Sequence, residues 1–429
     1  MADTSLAFTY SEQSSHIIEG IVTAHADLIA PLREQITSLY TSNIALPGTT
    51  GKLPLEYVRS YFVKEIKLDL EHFLFKHFVL NYLLAELTKH KMILTTWPRL
   101  ANVTSNDEQD SISFSFTFSQ MPDIPLKEWK HFVFKAPPRK NYKDLDKQVT
   151  SFIKTETSLY RKQEKTRSEG GDWVHLKVEL VNTSGKEILP EQAQFYWIHL
   201  SQEHLSNSLQ EQCVNKDEGE VFIANSFPFV SNTQETFDEP CKFKITVARI
   251  VKGSHLSIEF FKGTFKLRTR AEIHAKLIEV FSYRNDISQR RAIIEELFHL
   301  LFTKHRFEIP KHVVTRKKEI ILENLKQQPD YHVYKSHKNF SEHVEMLAEK
   351  IVKEEIFIDR IAHKDNISVT NDDIAQYLHF LTNPRLREFI YFKPLVDAIE
   401  EVDTPLHEAV LAQAVLREKT LNYVIYHLS

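Results

Sequence analysis

Glycine is scarce in this chain, with nine residues in 429. Cysteine is scarcer still. Cys213 and Cys241 stand in no CxxC or zinc-type spacing, which excludes a disulfide framework and reads as two ordinary thiols. No window approaches the roughly 18 uninterrupted apolar residues of a membrane span. The opening MADTSLAFTYSEQSSHIIEG has no basic start followed by an apolar run, so a signal peptide is not expected. Positive charge is not in excess either. Lys and Arg number 54 against 58 Asp and Glu, a formal net charge of −4. A global basic signal for nucleic acid is therefore missing, and neither DNA nor membrane is an expected partner. There is no low-complexity tract and no fixed-period repeat. Together these absences point to the cytoplasm.

What is present is apolar material. Hydrophobic residues make up 42% of the chain and Phe alone occurs 29 times, enough for sizeable cores. SISFSFTFS (111–119) alternates Ile112, Phe114, Phe116 and Phe118 with serines and threonine, the pattern of a strand with one buried and one wet face. HIIEGIVTA (16–24) is a second strand candidate. Asp27 caps a helix running to about Thr41. From Pro54 a long helical run follows, with Val58, Tyr61, Phe62, Ile66, Phe73, Leu74, His77, Phe78, Leu84 and Leu87 at helical spacing. More than one of its faces is apolar, so it must pack against more than a single layer. Residues 1–136 thus read as one α+β domain.

Residues 143–168 form a charged helix that stops at Gly170-Gly171. Beyond it, WVHLKVELV, QFYWIHL, EVFIAN and KFKITVARIV are strands, with a hairpin turn at Asn182–Gly185. From about 269 nearly everything reads as helix. Thr370 and Asp373 make a capping box. Ile309-Pro310 and Asp403-Thr404-Pro405 are helix starts.

Sites for covalent chemistry find no support. LPGTTGKLP (46–54) has two residues between its glycines where a nucleotide P-loop needs four, and Leu53 follows its lysine. There is no HExxH among the 21 histidines and no G-x-S-x-G elbow. No metal ligands and no cofactor are expected.

The order of parts is informative. A strand, a helix, a Gly-containing loop, a very long helix and strands are followed by a linker helix, a small β domain and a long helical remainder. This resembles the trigger factor family of bacterial ribosome-associated chaperones. Gly48, Gly51, Lys52 and Pro54 match the family loop Gly-Phe-Arg-x-Gly-Lys-x-Pro. FEIPKHVVTRKKEIILENL (307–325), VTNDDIAQYLHFLTNPR (369–385) and VLREKTLNYVIYHL (415–428) are similar to helices of the family's client-cradling region.

The resemblance implies an elongated multidomain α+β fold. Its parts are a ribosome-binding-type domain at 1–136, a linker helix at 137–170, a degenerate immunophilin-like prolyl isomerase domain at 171–252 and a helical chaperone domain at 253–429. It implies an ATP-independent chaperone for nascent or unfolded polypeptides. The alternatives are an active prolyl isomerase and an assembly chaperone working off the ribosome. The docking loop is Gly48, Thr49, Thr50, Gly51 and Lys52. Thr49 and Thr50 replace the family's Phe and Arg, which removes a pocket-filling ring and a guanidinium and leaves Lys52 as the loop's charge. In the middle domain Gly219, Phe227 and Phe243 fit the isomerase framework, whereas Leu205–Gln210 lacks the expected glycine and aromatic. Trp197, Phe227, Phe229 and Phe243 either line what remains of an isomerase pocket or are plain sheet core. In REFIYFKPLVDAIEE, the residues Phe389, Tyr391, Phe392, Leu395, Val396 and Ile399 are either client contacts on a concave surface or helix–helix core.

Overall fold

The alternating segment at 111–119 forms the centre of a sheet. This computed structural model describes residues 5–428 apart from 15–16, 44–52, 91, 93, 96–97, 107, 109, 123, 136–143, 161–166, 183–184, 186, 189–192, 201–207, 226, 228–240, 253–257, 259–260, 263–266, 286, 383–388 and 395–404. The architecture mixes α and β, as expected, and holds two antiparallel sheets. In the first, β1 (Leu6–Ser14), β2 (Ile17–Ala24), β3 (Arg99–Asn106) and β4 (Ser111–Ser119) lie in the order β1-β2-β4-β3. Ile112, Phe114, Phe116 and Phe118 are all buried.

Gly20 lets this sheet close over its rings. A Cβ there would lie 2.8 Å from the Phe118 ring and 3.0 Å from Phe8. Gly20→Val is expected to destabilise the protein by about 1–3 kcal/mol through overpacking, read as a lowered urea midpoint at unchanged slope. An unchanged midpoint would show that the rings can move aside.

After α1 (Ala26–Asn43), the long helical run is interrupted. It comprises α2 (Leu55–Tyr61), α3 (Val63–Leu74), a π-helical turn at Phe75–Val79 and α4 (Leu80–Lys89). Phe62 leaves helical geometry at φ −113° and ψ 23°, and its ring packs on Tyr40 at 5.6 Å. The π turn shifts the helical phase, so His77, Phe78 and Val79 are buried in succession. That shift lets the run face two layers. Phe75 stacks on Phe116 of the first sheet at 6.1 Å. On the other side the His77 ring meets Phe243 at 5.6 Å, and the His77 carbonyl accepts a hydrogen bond from Gln194 Nε2.

Gln194 and Phe243 belong to the second sheet. It contains β5 (Trp173–Val181), β6 (Gln194–His199), β7 (Val221–Ala224), β8 (Lys242–Val251) and β9 (Leu406–His407), in the order β7-β8-β5-β6-β9. The hairpin after β5 forms at the expected place: Gly185 adopts φ +81° and its N–H donates to the Asn182 carbonyl at 2.9 Å. β5 is buried at nearly every position because the sheet is covered on both faces. Val174, Leu176, Val178 and Leu180 join one apolar core with the first sheet and its helices. Trp173, Trp197 and Val251 join a second core with α5 (Leu145–Tyr160) and the C-terminal helices.

Those helices follow, with α6 (Ser208–Cys213) lying in the β-rich region. They are α7 (Arg270–Asn285), α8 (Ile287–Lys304), α9 (Lys311–Gln327), α10 (Tyr331–Lys335), α11 (Phe340–Lys364), α12 (Asn371–Thr382) and α13 (Glu408–Leu428). The capping box on α12 is present: the Asp373 N–H donates to Thr370 Oγ1 at 3.3 Å, and the Thr370 N–H to Asp373 Oδ2 at 2.8 Å. α13 begins later than Pro405 suggests, because Leu406 and His407 pair with β6 as β9. No helix among the described residues is long and apolar enough to cross a membrane.

Candidate functional site

Two helices, α9 and α11, form an antiparallel arm. At one end Tyr331, just past α9, packs on Phe340 at the start of α11, and at the other Val313 of α9 packs with Val352 and Ile356 of α11, so one helix ascends as the other descends; Lys318 meets Glu345 at 2.9 Å and Lys317 meets Glu355 at 2.6 Å between them. On α11 the residues Val344, Ala348, Val352 and Ile356 recur every four positions and are buried, which makes one apolar seam. At 1.5 Å per residue, α11 is about 37 Å long.

The arm's root is fastened to the body by apolar and polar contacts. Val313, Val352 and Ile356 pack with Met121 and Ile124, just past β4. His312 Nε2 lies 2.7 Å from Ser119 Oγ. Deeper in, an ionic network joins α9, α11 and α13. Arg417 contacts Asp359 through two guanidinium nitrogens, at 2.9 Å and 2.7 Å, and lies 3.2 Å from Glu355, which also holds Lys317. All four are nearly inaccessible to solvent. Desolvation opposes charge on Arg417, yet Asp359 and Glu355 outweigh it and raise its pKa. Burial pushes the Asp359 carboxyl up, against the pull of Arg417.

A second buried group clips the chain at 389–394. Glu418 Oε2 accepts the N–H groups of Tyr391 and Phe392, each at 2.9 Å, while its other oxygen takes Arg290 at 2.9 Å. The Arg290 guanidinium covers the Phe389 ring at 3.6 Å. Tyr391 donates its hydroxyl to Glu354 Oε2 at 2.8 Å. Burial, more than its acidic neighbours, pushes the Glu354 carboxyl up to about 7.

The far end of the arm contrasts with this locked root. Val333 is 61% exposed, Tyr334 47%, Met346 68% and Leu347 45%. A single exposed apolar residue is ordinary. Four within 15 positions at the end of a helical hairpin are a local excess of exposed apolar side chains. Leu55, Tyr61, Val63 and Leu68 expose a second apolar face on α2 and α3. Such faces can take up extended apolar chain without positioning it for chemistry.

The structure separates the residues singled out from the sequence. Phe389 and Phe392 are buried and Tyr391 is half-buried, held against the body by Glu418 and Arg290. Phe389 has 3-10 geometry and 390–394 are not helical. Leu395, Val396 and Ile399 lie outside the described residues, as do Phe229 and the loop Gly48, Thr49, Thr50, Gly51 and Lys52. Phe227 and Phe243 come together at 5.9 Å beside Tyr196. Trp197 does not join them. Tyr196 and Trp197 are successive residues of one strand and point to opposite faces, and Trp197 stacks on His175 at 4.5 Å in the other core. Trp197, Phe227 and Phe243 are all buried, which is the packing of sheet core.

The arm-tip residues escaped the sequence reading. A signal existed: Met346 and Leu347 are out of phase with the seam at 344, 348 and 352, and YHVY (331–334) places apolar side chains in a polar turn region.

Comparison with known proteins adds an independent line. The family description "Bacterial trigger factor protein (TF)" matches residues 8–154, from β1 into α5. "Bacterial trigger factor protein (TF) C-terminus" matches residues 269–425, from α7 through most of α13. The chain is similar to the trigger factor of Geobacter metallireducens, with 20% identity over 93% of this chain and 92% of that one. It is likewise similar to that of a Nitratiruptor species, with 20% identity over 81% and 82%. A solved structure of the trigger factor chaperone, from work on its promiscuous substrate recognition in folding and assembly, aligns over 99% of this chain and 100% of its own, at 16% identity and a TM-score of 0.39.

Proposed function

The chain belongs to the trigger factor family of folding chaperones, and from that premise we propose that it holds unfolded polypeptide through the exposed apolar side chains of the α9–α11 arm tip. The observation that carries this reading is the contrast along the arm, whose root is locked by Arg417, Asp359, Glu355 and Lys317 while Val333, Tyr334, Met346 and Leu347 face solvent.

The mechanism is mass action. Each apolar contact is weak, but several together bind the unfolded state and lower the concentration of free chain available to aggregate. Release follows when the client buries its own apolar surface, and no nucleotide is consumed. Tyr61, Val63 and Leu68 supply a second contact for longer clients. The protein works in the cytoplasm on nascent or newly released chains. Any docking on the large ribosomal subunit uses Gly48, Thr49, Thr50, Gly51 and Lys52 and depends on Lys52, a weaker anchor than the family's Phe-Arg pair. Phe227, Phe243 and Trp197 serve as sheet core.

An aggregation-suppression assay tests the reading. A variant carrying Val333→Ser, Tyr334→Ser, Met346→Ser and Leu347→Ser is expected to need about tenfold more protein for the same protection, equivalent to about 1.4 kcal/mol of lost client binding. Its circular dichroism and urea midpoint should match wild type, since the four side chains lie on the surface. Equal protection by the variant would remove the arm tip from the mechanism.

A further inference from the structure

The edges of the two sheets are guarded unequally. In the first sheet, β1 carries a register shift between Glu12 and Ser14, and β3 one between Leu100 and Asn102. In the second sheet, the edge strand β9 is two residues long and runs directly into α13. Bulges and very short strands keep an edge from pairing with another chain. The opposite edge, β7 (VFIA, 221–224), keeps its register with β8 throughout and contains no charge and no proline. Among the described residues no strand lies beyond it.

The backbone of β7 is aimed outward at defined positions. The Val247 N–H donates to the Glu220 carbonyl at 2.9 Å, and in an antiparallel ladder the residues that exchange bonds with the partner alternate. Phe222 and Ala224, opposite Ile245 and Phe243, therefore turn their N–H and C=O groups toward β8. Val221 and Ile223 turn theirs to the outer edge. The same two residues hold their side chains on one face of the strand, where they are 50% and 57% exposed. Phe222 faces the other way. It packs on the core shared with the first sheet and lies under Lys216 Nζ at 5.5 Å, which anchors the strand behind its edge.

We propose that the outer edge of β7 takes an extended segment of unfolded client as an added antiparallel strand, at a site separate from the arm tip. Val221 and Ile223 each exchange an N–H and a C=O with the client backbone, and their side chains meet apolar client residues at every second position. Backbone pairing reads no sequence, so the site serves many clients. It reads instead whether the client is folded. A native protein has its backbone groups paired internally, whereas an unfolded segment still has a full row to offer. β7 is about 13 Å long. That is too short for the roughly 1,200 Å² buried in a stable dimer, which argues against a second copy of this chain as the occupant. A hold of four backbone bonds is released when the client pairs its own strands.

Hydrogen exchange on the full chain tests the proposal, with a short unstructured peptide of alternating Val and Thr as the client. At saturating peptide the Val221 and Ile223 amides are expected to exchange about tenfold more slowly or slower still, while those of Phe222 and Ala224, already bonded to β8, change little. Unchanged exchange at 221 and 223 would overturn the proposal. A peptide N-methylated at its valines lacks the donors that face β7 and should bind about three- to tenfold weaker. Methylation at its threonines should leave affinity unchanged, and equal binding of both methylated peptides would also overturn the proposal. Ile223→Pro removes an outward N–H and leaves the bonds to β8 in place, so it should weaken the unmodified peptide by a similar factor. Should that variant fail to fold, Val221→Lys with Ile223→Lys keeps every backbone bond and should weaken the peptide in the same direction. The variant with serine at 333, 334, 346 and 347 should keep the protection at 221 and 223 in full, which separates failure at β7 from failure at the arm tip. Protection of both amides without peptide, rising with protein concentration, would replace the client with a second copy of the chain.

Discussion

Arg417→Met lowers the stability of the helical body by about 3–5 kcal/mol, the largest effect expected of any single change at the arm root. The guanidinium is the partner of Asp359 and one of two partners of Glu355. Its removal leaves Asp359, a carboxylate in a nearly dry site, without its hydrogen-bonded partner and with only Lys317 as a nearby cation, and breaking a buried pair from one side costs far more than the pair contributes net. Methionine has a similar reach, so little of the loss comes from a cavity. The measurement is urea unfolding followed by circular dichroism, with limited proteolysis of α9 and α11 as a local readout. A companion variant, Arg417→Met with Asp359→Met, is expected to recover most of the loss, because both buried charges are then gone and apolar volume replaces them. If the single variant unfolds at the wild-type midpoint, the network is not what holds the arm to α13.

Glu354→Gln stabilises the protein above about pH 8, by on the order of 3 kcal/mol. The Glu354 carboxyl is buried against Tyr391, with Lys350 lowering and Glu355 and Glu295 raising its pKa, and it stands at about 7 against an ordinary value of 4.5. A raised carboxyl binds its proton more tightly in the folded than in the unfolded chain. Its proton therefore favours folding fully below pH 4.5, and that contribution is lost as pH rises through about 7. Glutamine mimics the protonated form at every pH and still accepts the Tyr391 hydroxyl. The gap between variant and wild type should be widest above pH 8 and close as pH falls toward 4.5. Each pKa unit between the two values corresponds to about 1.4 kcal/mol. A gap independent of pH would show that Glu354 is not the titrating group. Because Tyr391 belongs to the clipped segment 389–394, the same titration should appear in proteolysis of that segment.

Parts of this molecule could be read from short stretches of residues. β4 was legible because Phe and Ser alternate without a break. The α12 cap was legible because Thr370 and Asp373 stand at the spacing at which side chain and N–H exchange hydrogen bonds. The two-layer burial of the long helical run was legible from apolar residues on more than one face. β1 and β3 were less so. β3 is a largely exposed edge strand whose RLANVTSN carries no alternation, since a strand held by backbone pairing to β4 needs no apolar face of its own. The break at Phe62 and the π turn at Phe75–Val79 were hidden for a related reason. Both are set by what the neighbouring layers present, not by any helix-breaking residue.

The candidate site divides in the same way. FIYF (389–392) has the composition of a client surface, and composition alone cannot distinguish a surface from a core. Glu418 and Arg290 hold this segment against the body, and they lie far away in sequence. Trp197 was grouped with Phe243 by residue type and parted from it by the alternation of β6.

The amino-acid sequence determined by itself the class of elements, the caps and turns that bound many of them, and membership of the trigger factor family, since these depend on contacts within a few residues or on the order of segments. Tertiary structure alone decided which apolar residues remain in water. Whether Val333 or Phe389 faces a solvent or a ring is settled by long-range partners, and burial free energy does not distinguish a neighbour in sequence from one a hundred residues away.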